Sequence, residues 1–106
     1  MAFTITVQEL KTRLDQGDKI VLVDVREPWE FATAKIEGAI LIPLATIPQS
    51  LDKLDRNAEI VCHCHHGMRS ADATAFLQQQ GFKSVKNLVG GIDAWSLHVD
   101  SKVPRY

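Results

Sequence analysis

Two short unbroken apolar runs, Ile20-Val21-Leu22-Val23 and Ile60-Val61-Cys62, do most to limit what this chain can become. They are too short for ordinary helices, and they lack the apolar-polar alternation of a strand with one wet face. Each suits a strand buried on both sides, as in a parallel sheet covered by helices. Around them the periodicity changes. Thr6-Val7-Gln8-Glu9 has the form of a capping box, and Val7, Leu10 and Leu14 recur at helical spacing until Gly17. Pro28 suits the first turn of a second helix, which carries Trp29, Phe31 and Ala32 toward Gly38. Residues 39–42 read as a short strand stopped by Pro43. Ile47, Leu51 and Leu54 mark a helix over residues 45–56, with Pro48 in its first turn.

Further strands are expected at 59–63 and 85–89, and further helices at 70–80, capped by Gly81, and at 92–97, opened by Gly90-Gly91. Strands alternating with helices predict an α/β layer structure, a mainly parallel sheet with helices on both faces, in one domain spanning residues 1–106. Trp29, Phe31 and Trp95 are read as core residues. Ligands of such folds bind beyond the C-terminal ends of the strands, and Asp24-Val25-Arg26 and Cys64 both fall there.

A hydrophobic fraction of 45% and a charged fraction of 24% are those of a globular protein. The formal net charge of −1 leaves no basic excess with which to neutralise phosphates, so nucleic acid is not expected as a partner. With two cysteines, no signal-peptide pattern and no apolar run of bilayer length, the expected setting is reducing and cytoplasmic, without a membrane partner. Cys62 and Cys64 are expected on opposite faces of their strand and unpaired, with Cys62 in the core.

The chemistry concentrates in Cys64-His65-His66-Gly67-Met68-Arg69-Ser70, where a strand hands over to a helix. Four residues between Cys64 and Arg69 are enough to bend the backbone into a cup whose amides point inward, above the positive end of the following helix. Such a cup favours thiolate over thiol and makes Cys64 a candidate nucleophile. Arg69 either points into the cup or ties the loop to a carboxylate. His65 and His66 sit at the rim, where imidazoles titrate near neutrality. Arg26 is either a substrate contact or a structural ion-pair partner, with Asp24 satisfying loop amides.

These residues resemble the rhodanese-like sulfurtransferase domains over nearly the whole chain. The resemblance rests on Val23-Asp24-Val25-Arg26-Glu27, on Ile36-Glu37-Gly38-Ala39 leading to Ile42-Pro43, on the Cys64 loop, and on Gly90-Gly91-Ile92-Asp93-Ala94-Trp95. It implies a central five-stranded parallel sheet and a loop cysteine that carries sulfur as a persulfide. By the same match Cys64 is the acceptor, the amides of His65, His66, Gly67, Met68 and Arg69 cradle the outer sulfur, and Arg26 stands near the substrate. The chain departs from the family where Ala34-Lys35 replaces Gly-His, which makes Lys35 a candidate rim contact. Its loop and its ending, Val103-Pro104-Arg105-Tyr106, are similar to rhodanese domains at the C-termini of adenylyltransferases that activate sulfur-carrier proteins.

The implied donors are thiosulfate, a polysulfide or a protein persulfide, and the implied acceptors include a protein carrier. No cofactor and no metal is expected, because contiguous Cys62 to His66 cannot readily wrap a tetrahedral ion. Two other readings use the same residues. One is a binding module of this fold without catalysis; the other is a cysteine phosphatase, whose loop has five residues between Cys and Arg instead of four.

Overall fold

The computed structural model describes residues 3–106. Five parallel strands form one sheet in the order β1-β5-β4-β2-β3: β1 (Thr4–Ile5), β2 (Val21–Asp24), β3 (Ile40–Leu41), β4 (Glu59–His63) and β5 (Ser84–Leu88). The helices are α1 (Val7–Asp15), α2 (Pro28–Thr33), α3 (Met68–Gln79) and α4 (Gly91–His98). The two apolar runs lie side by side at the centre, with Leu22 opposite Val61 and Val23 opposite Cys62.

Period two then sorts their side chains into two cores. Leu22 and Val61 join Leu10 of α1 and Ile92 and Trp95 of α4 on one face. Val23, Ile60, Cys62 and Cys64 join Ala73 and Leu77 of α3 on the other. The expectation that Cys62 and Cys64 face opposite ways is therefore wrong, because residues two apart on a strand share a face. Both are free thiols.

Local chemistry explains where the elements begin. Thr6 and Glu9 exchange backbone-to-side-chain hydrogen bonds of 3.0 and 2.8 Å at the start of α1. Pro28 opens α2. Two expectations need correction. The helix read over 45–56 is instead two 3₁₀ segments, Leu44–Gln49 and Leu51–Lys53. Pro48 has no N–H to give an α-helical ladder, although Ile47 and Leu54 still reach the core. The edge strand β1 was not foreseen. With two residues it shows no periodicity, and it exists through long-range pairing, Asn87 N–H donating to Phe3 O at 2.8 Å and Val89 N–H to Ile5 O at 2.9 Å.

Among the described residues no helix is long and apolar enough to cross a membrane.

Candidate active site

Strand β4 ends at His63, and the chain then turns through Cys64 to Gly67 before α3 starts. The turn is held from outside by the N-terminus of α4. Ile92 N–H donates to Cys64 O at 2.9 Å and Asp93 N–H to His65 O at 3.1 Å. In a trans peptide the carbonyl and the following N–H point in opposite directions. Fixing these two carbonyls toward α4 therefore turns the amides of His65 and His66 away from it, toward the hollow of the loop.

The grip is close enough to require glycine. A Cβ on Gly91, whose φ is +59°, would lie 2.4 Å from Cys64 O and 2.5 Å from His65 O. Gly67 has φ +121° at the N-cap of α3, and its carbonyl accepts from Asn87 Nδ2 at 3.1 Å.

The Cys64 residue is 1% exposed, at the floor of the hollow. Its Sγ accepts from Gly67 N–H at 3.1 Å and lies 3.4 Å from Ser70 Oγ. Burial by itself raises a thiol pKa. Here the Ser70 hydroxyl and the amides of Ser70, Gly67 and His66 outweigh it, and the pKa of Cys64 falls below the ordinary value. Cys62, two residues earlier, has burial without such an array and is pushed up to about 12. Of the two thiols, only Cys64 is surrounded by donors that favour the thiolate.

The guanidinium of Arg69 does not enter the hollow. Its Nη1 and Nη2 donate to Glu30 Oε1 and Oε2 at 2.6 and 2.8 Å, the carboxylate alternative. Tyr106 OH donates to Glu30 Oε2 at 2.7 Å, and Glu27 N–H donates to Oε1 at 3.0 Å. The Arg69 hydrogen bonds lead in holding Glu30 down at about 2, against the upward push of its burial.

Arg26 is fully buried. It donates to both oxygens of Asp24 at 2.8 and 2.6 Å, to Ala34 O at 2.6 Å and to Tyr106 OH at 2.8 Å. It therefore braces the wall behind the loop and does not offer its guanidinium to a substrate, which decides between the two readings of this residue.

The rim is aromatic. The His65 ring stacks on Tyr106 at 4.2 Å and on His66 at 4.1 Å, and Trp29 meets Tyr106 edge-on at 5.9 Å. Trp29 is 63% exposed, which corrects its assignment to the core: Glu30, and not Trp29, is the buried residue of α2. Trp95 is buried as expected, and Met68 is exposed, giving the loop only its backbone. Lys35 has its ammonium over the Phe31 ring, 5.2 Å from the centroid.

One cluster has donors of the kind metals use. Single ligand atoms of His65, His66 and Asp93 lie within 4.8 Å of one another. The two rings are stacked, 28° from parallel, so their in-plane lone pairs do not converge, and Asp93 is already bonded to Arg105 Nε at 2.8 Å.

Glu30, Asn87 and Tyr106 reach the site only through the fold, and Ser70, at a helix start in the sequence, adds its hydroxyl beside Sγ. The one local hint to Glu30 is its place three residues after Glu27, in the first turn of α2.

A parallel α/β sheet that presents a buried, acidified thiol to a ring of amides beside a helix N-terminus defines a domain for sulfur-centred group transfer. The chain belongs to the rhodanese-like domain family, whose model matches residues 6–98. It is 38% identical over 98 residues to a sulfurtransferase of Allochromatium vinosum, covering 92% of each chain. It is 40% identical over 105 residues to the probable adenylyltransferase/sulfurtransferase MoeZ of Mycobacterium tuberculosis, covering 97% of this chain but only 27% of MoeZ. Among solved structures, a rhodanese-like domain protein from Staphylococcus aureus superposes with a TM-score of 0.85 at 34% identity over 97% of both chains. The chain thus spans about a quarter of the length of MoeZ, and its relatives support a sulfurtransferase or sulfur-carrier-related function.

Proposed function

We propose that the protein is a cytoplasmic sulfurtransferase, a single domain over residues 1–106, that carries one sulfane sulfur as a persulfide on Cys64. The observation that carries this reading is the pair of contacts on Sγ, from Gly67 N–H at 3.1 Å and Ser70 Oγ at 3.4 Å, beside the amides of His66 and Ser70 that also favour a negative sulfur.

In the first step the Cys64 thiolate attacks the outer sulfur of a donor. One S–S bond breaks and one forms, leaving Cys64–S–S⁻ and either sulfite, from thiosulfate, or a thiolate, from a persulfide. No net oxidation occurs. In the second step a thiophilic acceptor takes the outer sulfur and Cys64 returns to thiolate. The terminal sulfur of the persulfide is an anion in both steps, and the amides of His65, His66, Gly67, Met68 and Arg69 stabilise it without a proton. Arg26 and the Arg69 side chain position the walls. His65, kept below its ordinary pKa by burial and by His66, is sandwiched between the Tyr106 and His66 rings and so holds the rim in place. The likeness to MoeZ supports a protein acceptor in addition to small thiophiles such as cyanide.

Intact mass after incubation with thiosulfate or glutathione persulfide tests the reading. A one-sulfur gain is expected in the wild type and in Cys62→Ser, and none in Cys64→Ser. Thiocyanate formation from cyanide should follow the same order. No adduct with either donor would leave a binding module.

A further inference from the structure

The guanidinium beside the cup is present but already spent on a carboxylate. Arg69 precedes Ser70, whose hydroxyl lies 3.4 Å from Sγ, and no lysine or other arginine is closer along the chain to Cys64. Both of its terminal nitrogens are taken by Glu30 at 2.6 and 2.8 Å. Glu30 is only 3% exposed, so water competes little for the carboxylate, and Tyr106 OH and Glu27 N–H close its remaining positions. The other guanidinium groups near the loop are matched in the same way, Arg26 to Asp24 and Arg105 to Asp93. His66 Nε2 lies 3.6 Å from the same Asp93.

The two donor classes differ in what this arrangement denies them. With thiosulfate, attack breaks the bond between outer and central sulfur and expels sulfite, which leaves with two negative charges at the mouth. With a persulfide, attack on the outer sulfur expels a thiolate with one. A free guanidinium fork would be the matching partner for the three oxygens of the sulfite end.

We infer that Glu30 is a positioning residue that sets donor selectivity, holding Arg69 out of the cup and so favouring persulfide donors over thiosulfate. This rests on sulfur transfer to Cys64 as proposed above.

The test compares kcat and KM for thiosulfate and for glutathione persulfide in the wild type, Glu30→Gln, and the double variant Glu30→Gln/Arg69→Met. The wild type should prefer the persulfide. In Glu30→Gln the guanidinium is no longer neutralised, and the thiosulfate KM should fall about tenfold while persulfide kcat/KM stays within about threefold. The gain should vanish in the double variant. A lost structural brace lowers activity, so a gain that depends on Arg69 is not what a merely structural role produces. A folded Glu30→Gln protein without the gain, or a gain that survives loss of Arg69, would overturn the inference.

Should Glu30→Gln fail to fold, the double variant, in which a neutral pair replaces the ion pair, decides alone. Its thiosulfate-to-persulfide ratio should equal that of the wild type within about twofold. A tenfold fall would show Arg69 already serving thiosulfate and would overturn the inference. Absence of any Cys64 adduct overturns the sulfurtransferase reading with it, whereas an adduct with an unaltered ratio in folded Glu30→Gln overturns only the role of Glu30.

Discussion

A methyl group at Gly91 should damage the cup more than it damages the fold, and a series of three glycines measures the difference. Alanine at Gly17 meets nothing within 4 Å, so it reports only the cost of φ +82°, about 1–2 kcal/mol. Alanine at Gly91 has the same kind of cost at φ +59° and also places Cβ 2.4 Å from Cys64 O and 2.5 Å from His65 O. Contacts of that type settle near 3.4 Å, so the loop and α4 must part by about 1 Å, the scale on which positioned groups lose about a hundredfold in rate. The two hydrogen bonds that join them, from Ile92 and Asp93, then weaken by about 1 kcal/mol each. Gly91→Ala should therefore cost about 3–4 kcal/mol, read as a fall in Tm of about 15 °C or more.

Gly90→Ala is the internal control. Its Cβ would meet Ala94 Cβ at 2.6 Å, within the first turns of α4 and away from the loop carbonyls. It should lose stability yet keep sulfur loading. Urea unfolding gives the stabilities, and the rate of the one-sulfur mass gain on Cys64 reports the cup. Gly91→Ala loading at the wild-type rate, or costing no more than Gly17→Ala, would refute the view that α4 shapes the cup through these carbonyls.

Acid should unfold the protein in two stages. His63 is buried without a hydrogen-bond partner on either ring nitrogen and is pushed down to about 4; the unfolded chain takes up its proton first, so stability should fall by about 3 kcal/mol as pH drops from about 6.5 to 4, and His63→Leu should remove that limb in urea titrations. Glu30, held at about 2, contributes stability that is present above about pH 4.5 and is lost as pH falls toward 2, a limb that Glu30→Gln should flatten. Ser70→Ala removes a donor to Sγ, so the midpoint of Cys64 alkylation against pH should move up from the wild-type position; an unmoved midpoint would assign the acidity to the amides alone. Because four residues between Cys64 and Arg69 make a cup for one sulfur, turnover of aryl phosphates should be negligible, and efficient turnover by the wild type would overturn the assignment of reaction class.

What could be read from the sequence and what could not divide by distance along the chain. Strand β4 stands at the expected residues, Glu59–His63, and the Thr6–Glu9 box closes as its spacing requires, because each depends on neighbours a few positions away. The cup is legible for the same reason: its donors are backbone amides of consecutive residues, and the glycines that shape it announce themselves locally. Trp29 misled because apolar character was taken to mean burial, whereas α2 turns a carboxylate inward. That carboxylate meets Arg69 across 39 positions and Tyr106 across 76, pairings that no periodicity or local spacing records.

The division has a chemical consequence. On the proposed reading, the donors for an anionic sulfur come from the seven loop residues and are aimed by the α4 N-terminus, while the charge a donor meets at the mouth is set by Glu30 on α2. Chains that share the Cys64 loop but differ at the position of Glu30 should therefore share sulfur transfer and differ in donor. Grafting this loop onto a relative that lacks the carboxylate should carry over the acidified thiol and leave thiosulfate selectivity to the host, since the Arg69 that travels with the loop would arrive without its partner.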